Sequence, residues 1–278
     1  MENGPLKVIT SNIDELRFRT IRIVVPILVF FSIFLLFDLR FYRAIVGSYS
    51  LTIPYFYPDP YENMGAQFLK LIIDHVITEP FKLLAIKPTD GVVADFYSCL
   101  FLAIIFTSPN ISYQTGKFIG PALKASEKKI IRTTLLPALV LFLAGSLIGI
   151  YFVAPLMFRI LYEFDLGVGA QPTMSITSFV SFFFIYVLSF GISFETPVIM
   201  VGLTYLAIVP ASYWRKNWRY AIVAALIFGV IFSPGVTGFT MMLLAIPIII
   251  LYFVGVYASA RMEKRKNREI EADLKGPT

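Results

Sequence analysis

One cysteine and one histidine in 278 residues exclude a good deal. A lone thiol closes no internal disulfide, and Cys99, inside an apolar run, reads as a small packing residue. A lone imidazole, His75, gives no histidine cluster for a metal and reads as a surface or interfacial side chain. Charge is scarce too: 15% of residues are Asp, Glu, Lys or Arg, where a soluble domain has about 25%. The regular apolar/polar alternation of a transmembrane barrel is missing. The apolar runs carry no paired aspartates, Ser–His pair or metal site, so intramembrane proteolysis is excluded and neither an enzyme nor a cofactor is expected. No cleavable leader is expected either. The N-terminus is polar, holds Asp14 and Glu15, and its first apolar run lacks a small-residue cleavage site.

What fills the chain is apolar sequence: 57% of residues are hydrophobic and the mean hydropathy is +0.75. Several runs reach membrane-crossing length. The expected fold is an all-α membrane protein with six transmembrane helices, near residues 20–37, 92–108, 131–158, 176–209, 221–232 and 239–258. Residues 1–260 would form one membrane domain and 261–278 a charged tail, mobile past its first turns. Of the 24 Lys and Arg residues, 18 fall in the N-terminal stretch, the second and fourth connections and the tail. That asymmetry puts both termini in the cytoplasm, in a multi-pass cell-membrane protein. The positive net charge is then topological, and no nucleic-acid partner is implied.

The first external connection, 38–91, reads as an irregular loop around Pro54, Pro58 and Pro60. Within it, Met64, Phe68, Leu71, Ile72 and Val76 recur at helical spacing and predict an amphipathic helix over 62–77. Pro80 would end that helix. In the third run Gly145 and Gly149 form a GxxxG, which permits close helix approach. The fourth run is overlong: 34 residues would reach about 51 Å against a hydrocarbon core of roughly 30 Å. A single tilted helix is expected there rather than two arms, because a hairpin would have no charged loop.

That fourth run holds Glu195. An ionised acid at the bilayer centre costs roughly 2.5–3.5 kcal/mol on insertion scales. Two readings stand: a structural acid bonded to Ser193, Thr196 or Thr204, or a polar notch that meets water or a partner helix. Glu15 and Glu127 also have two readings. Asn12-x-x-Glu15 is a capping-box pattern and Ser126-Glu127 places an acid in a first helical turn. Alternatively the two carboxylates face a guanidinium ligand, whose planar fork pairs bidentately with carboxylate where lysine cannot.

Five stretches in order carry a family resemblance. They are Glu15-Leu16-Arg17-x-Arg19, Thr78-Glu79-Pro80-Phe81, Tyr113-Gln114 with Phe118-Ile119-x-Pro121-Ala122-Leu123 and Glu127, Phe190-Gly191-x-x-Phe194-Glu195-x-Pro197, and Leu244-Ala245-Ile246-Pro247. Together they resemble TatC, the multi-spanning signal-receptor subunit of the twin-arginine (Sec-independent) protein translocase, over about residues 12–260. The chain departs from the family pattern at Gly116, where Trp is common, and in the turn 233–238, which lacks an acid. It also lacks the usual His before Glu-Leu-Arg, and its first external loop is longer.

The resemblance implies a core receptor that binds twin-arginine signal peptides of folded cargo proteins. With small single-span subunits of the TatA/TatB type, in an oligomeric complex among membrane lipids, it would move that cargo using the proton-motive force. Signal-peptide contact would fall to Glu15, Arg17, Gln114, Phe118, Pro121 and Glu127. Partner contact within the membrane would fall to Phe190, Gly191, Phe194, Glu195 and Pro197. The alternative is a proton-coupled secondary transporter using Glu195, although no internal repeat supports it.

Overall fold

The computed structural model describes residues 5–46, 49–77, 81–119, 128–233 and 238–275, with side chains for 14–41, 54–77, 81–115, 135–233 and 238–268. The chain is mostly helical. Five helical stretches among the described residues are long and apolar enough to cross a membrane: Asp14–Leu36, Asp90–Thr115, Leu135–Gly167, Ile176–Tyr205 and Gly238–Arg268. Trp218–Phe232 is a sixth, shorter apolar helix. The chain divides into two compact units, Met1–Phe118 with Tyr162–Phe184, and Ile119–Leu161 with Ile185–Thr278.

In the first unit α1 (Pro5–Leu36) passes without a linker into β1 (Phe37–Val46), which pairs antiparallel with β2 (Tyr49–Pro58). The expected irregular loop is therefore a regular ribbon over 37–58. Pro54 and Pro58 stand opposite Phe41 and Phe37. Being four residues apart, they occupy equivalent places in the alternation of an antiparallel pair, and each can turn its missing N–H to the free edge. A two-stranded ribbon has two such edges, so the prolines cost it little.

Next comes α2 (Met64–Val76), capped by Asn63, whose side chain accepts from the Ala66 N–H at 2.9 Å. Its buried stripe is Gly65, Leu69, Ile72 and Val76: Ile72 and Val76 are buried as expected, Gly65 and Leu69 are more enclosed than Met64 and Phe68, and Leu71 is 68% exposed. α3 (Asp90–Ile119) packs antiparallel to α1. Phe34 packs with Cys99 and Ala103, Phe31 meets Phe96, Phe30 meets Phe106, and Asn110 Nδ2 donates to the Arg22 carbonyl at 2.9 Å. Cys99 is fully buried there. α2 is clamped to α3 through Asn63 Nδ2, which donates to Asp95 Oδ2 at 2.6 Å. A short parallel pair, β3 (Lys82–Leu84) with β4 (Thr173–Ser175), and a Phe68–Phe101–Phe184 stack complete this unit.

In the second unit α4 (Lys128–Ile148) continues through a π-turn, Gly149–Val153, into the start of α5 (Ala154–Gly167), whose residues from Tyr162 on belong to the first unit, as do residues 176–184 of the helix that follows. Pro137 lies inside α4 without ending it, and helix extends into what reads as the polar connection after 161. α6 (Ile176–Phe194) and α7 (Thr196–Tyr205) form one run with a single-residue turn at Glu195, as the absence of a charged loop requires. α8 (Ala211–Lys216), α9 (Trp218–Phe232) and α10 (Gly238–Lys275) follow. α10 remains helical well into the charged tail. Lys266 Nζ donates to the Tyr205 carbonyl at 2.7 Å, Tyr252 Oη to the Trp214 carbonyl at 2.6 Å, and Trp214 Nε1 to Thr204 Oγ1 at 2.9 Å.

Candidate functional site

Two groups of residues matter, one in each unit. The first lies where α1 and α3 run together. Taking the Asn110–Arg22 hydrogen bond as the crossing point, Glu15 lies seven residues, about 10 Å, back along α1. Gln114 lies four residues, about 6 Å, on along α3. In an antiparallel pair both displacements point the same way. Glu15 and Gln114 therefore share one end of the helix pair, within about a turn of one another in height.

α1 begins at Pro5, ten residues before Glu15. Glu15 is thus in a helix interior, and the capping reading for it falls. The helix start is marked only by the sparse stripe Leu6, Ile9, Ile13 and Leu16 among polar residues, which the polar composition of the N-terminus outweighs. Glu15 Oε1 instead takes Arg19 in a fork, with Nε at 3.0 Å and Nη2 closer. Such an i,i+4 pair, part-exposed, is worth about 0.3–0.5 kcal/mol. The second oxygen, Oε2, has no hydrogen bond among the described residues. Arg17 is exposed.

Gln114 is the more telling residue. It is 7% exposed; its Nε2 donates to Asn110 Oδ1 at a long 3.4 Å. Its Oε1 is buried without a hydrogen bond. A buried amide acceptor left open costs on the order of 1–3 kcal/mol and is the kind of atom a donor-only ligand satisfies. Asn110, which ties α3 to α1 and supports Gln114, was missed by sequence reasoning, since a lone Asn after Pro109 reads as loop. Of the other expected ligand contacts, Phe118 is on α3 with its side chain not described. Pro121 and Glu127 lie outside the described residues, as does Pro80; α4 starts at Lys128, the residue after Glu127.

The second group surrounds the turn between α6 and α7. Here Glu195 is half-buried and its carboxylate has no hydrogen bond among the described residues. Of the expected structural partners, Ser193 Oγ donates to the Ser189 carbonyl at 2.7 Å and Thr204 Oγ1 accepts from Trp214; neither of them, nor Thr196, bonds the carboxylate among the described residues. Pro197 is the second residue of α7 and is buried. Small residues bring the helices close around this turn. A Cβ on Gly145 would meet Phe194 Cγ at 2.6 Å, and one on Gly191 the Phe142 ring at 3.0 Å. Phe190 is fully enclosed and stacks on Phe194 at 5.4 Å between centroids. The fourth run thus holds an acid, without an internal partner, at a fixed backbone break. Among the described residues no group of His, Cys, Asp and Glu has the makings of a metal site.

Residues 11–247 match the family model described as Sec-independent protein translocase protein (TatC). Among similar curated proteins is the Sec-independent protein translocase protein TatC of Cenarchaeum symbiosum, 32% identical over 256 residues, covering 92% of this chain and 96% of the relative. That of Aquifex aeolicus is 32% identical over 195 residues, covering 68% and 78%. A crystal structure of the twin arginine translocase receptor TatC superposes with a TM-score of 0.70 at 25% identity, covering 90% of this chain and 99% of that one.

Proposed function

The chain belongs to the TatC family of Sec-independent protein translocase proteins, and we propose that it is the signal-peptide receptor of a twin-arginine translocase. The observation that carries this is the buried, unpartnered Oε1 of Gln114 at the same end of the α1–α3 pair as Glu15. An arginine guanidinium has five donors and no acceptor. A twin-arginine ligand therefore needs carboxylate and amide oxygens that are not already filled, and this end of the pair offers both. Each charge-assisted bond would contribute on the order of 1.5–3 kcal/mol, less where water reaches it. Arg17, Phe118, Pro121 and Glu127 complete the recognition surface in this reading, with Glu127 as the second carboxylate.

The same reading gives six spans, counting the short α9, with both termini in the cytoplasm of a cell membrane. The peptide end of α1 and α3 then faces the cytoplasm, where signal peptides are presented. The amphipathic α2 lies in the first external loop, with Pro80 shaping its exit. Residues 1–260 act as one membrane domain. At the α6–α7 turn, Glu195 with Phe190, Gly191, Phe194 and Pro197 receives a polar side chain from a small single-span subunit of the TatA/TatB type. Receptor and partners assemble as an oligomer and draw on the proton-motive force.

The test is equilibrium binding of a twin-arginine signal peptide to the purified protein, beside the same peptide with both arginines changed to lysine. Gln114→Leu and Glu127→Gln are measured in parallel. Binding that needs the arginines and falls at least tenfold in each variant, without loss of thermal stability, supports the receptor site. Equal binding of both peptides, or no effect of either variant, refutes it.

A further inference from the structure

The β1–β2 ribbon is amphipathic in an inverted sense. Directly opposed residues of an antiparallel pair share a face. One face of its base therefore carries Asp38 with Tyr57 and Arg40 with Tyr55. The other carries Phe37 with Pro58, Leu39 with Phe56 and Phe41 with Pro54.

On the polar face Asp38 and Arg40 are satisfied within the unit, while Tyr55 and Tyr57 stay 42% and 44% exposed. Asp38 is 2% exposed and accepts from Arg40 Nε at 2.6 Å and from Gln67 on α2. Arg40 also reaches Asp59 Oδ2 at 3.1 Å and stacks on the Tyr57 ring at 4.3 Å. The face with no polar side-chain atom is turned outward: Phe41 is 64% and Phe56 62% exposed. A water-facing ribbon would show the opposite arrangement.

We propose that this apolar face rests in the interfacial layer of the lipid bilayer, on the leaflet at the C-terminal end of α1, so that the ribbon acts as a membrane-surface anchor. Three observations choose lipid over a protein occupant. Leu36 is followed at once by Phe37, so the ribbon leaves the membrane at the level where α1 ends, with no linker to lift it away. α1 itself exposes Val25, Leu28, Val29 and Leu36, the apolar side chains of a lipid-facing helix, directly before the ribbon begins. The base is also rich in Phe and Tyr, with tyrosine hydroxyls on the face away from the apolar one, and such aromatics favour the headgroup level.

The backbone limits the depth. Each strand keeps a free edge of N–H and C=O groups that hydrocarbon cannot satisfy. The ribbon therefore lies within the headgroup zone, about 5–8 Å thick on each side, with only its phenyl rings reaching the acyl chains. This inference needs α1 to span the membrane but does not depend on the peptide site.

The test uses nitroxide labels on single cysteines in the full-length protein in phosphatidylcholine–phosphatidylglycerol vesicles. Phe41→Cys and Phe56→Cys report the apolar face, Tyr55→Cys and Tyr57→Cys the other. Native Cys99 is fully buried, and unsubstituted protein checks that it takes no label. The expected result is a ratio of oxygen to nickel-chelate collision rates several-fold higher at 41 and 56 than at 55 and 57, with a shallow depth. Equal, high nickel access on both faces would place the ribbon in water and overturn the proposal. Protection of 41 and 56 from both reagents would show a protein covering them, a second copy or another subunit, and would overturn it equally.

Discussion

Adding one methyl group at Gly145 tests how closely the helices around Glu195 are packed. An alanine Cβ there would stand 2.6 Å from Phe194 Cγ and 2.8 Å from Phe194 Cβ. Swinging the ring could relieve the first clash but not the second, because Cβ is fixed to the backbone. The second contact is roughly 0.6 Å short of ordinary van der Waals distance, so α4 and the end of α6 must separate. Overpacking of this kind costs about 1–3 kcal/mol, and alanine returns about 0.8–1 kcal/mol in helix propensity. Gly145→Ala is expected to lose up to about 2 kcal/mol. Gly149, the other half of the GxxxG, is the internal control: its nearest neighbour, Phe190 Cβ, would be 3.6 Å away. Gly149→Ala should be neutral or slightly stabilising.

Thermal unfolding in detergent reads this out, with Tm falling by up to about 8 °C for Gly145→Ala and not falling for Gly149→Ala. Phe194→Ala removes the obstruction. The double variant Gly145→Ala/Phe194→Ala should then lose less than the two single losses combined, by about 0.5–3 kcal/mol of coupling. The reasoning is refuted if Gly145→Ala melts with the unsubstituted protein, or if Gly149→Ala is the more damaging change.

Ala207 holds a left-handed conformation, φ 57°, at the end of α7. The Ile208 and Ala207 N–H groups close a Schellman motif onto the Leu203 and Thr204 carbonyls. Ala207→Gly should stabilise by about 0.5–1 kcal/mol and Ala207→Val should destabilise, both read by the same melts. The Asp59 carboxylate is held below the usual range, chiefly by the Tyr61 and Glu62 N–H groups and less by Arg40. Its folded pKa being depressed, its stabilising contribution is present above the unfolded value near 4 and is lost as pH falls through the folded one. Proteolysis at the 59–62 turn should accelerate on acidification below about pH 4, and Asp59→Asn should be cut at a rate independent of pH. Glu195→Gln breaks no hydrogen bond among the described residues, so it should leave Tm unchanged or higher while cargo transport falls; a large loss of Tm would restore the structural reading of this acid.

The sequence was most legible where membrane chemistry restricts the choices. Apolar length forces helices because hydrocarbon satisfies no backbone group, and the missing charged loop in 176–209 forced a single run. The family motifs were local strings and stood out as such. It was least legible at water-facing or interfacial stretches, where no stripe is demanded. The start of α1 carries only a sparse apolar period, Leu6, Ile9, Ile13 and Leu16, among polar residues, so the fifteen residues from Pro5 to Arg19 ahead of the expected span do not read as helix. The ribbon was obscured by prolines that lie at permitted edges and by an apolar face that points outward. The buried stripe of α2 is set by its neighbour: Gly65 is chosen because a Cβ there would meet Asp95 Oδ1 at 2.7 Å, which no spacing rule on α2 alone contains.

The candidate site divides along the same line. Glu15 and Gln114 could be named from their strings, but their role depends on pairing. The Asn110–Arg22 bond brings α1 and α3 into register, and that packing buries Gln114 with an oxygen left over. Likewise Glu195 could be named as an acid in an apolar run. That none of Ser193, Thr196 and Thr204 bonds its carboxylate among the described residues is visible only in the packing, where Ser193 donates to the Ser189 carbonyl and Thr204 accepts from Trp214. In each unit one polar group, the Gln114 Oε1 or the Glu195 carboxylate, is left without a hydrogen bond among the described residues. A fold that leaves such atoms open carries a standing cost, and a ligand or partner that supplies the missing donor recovers it on binding.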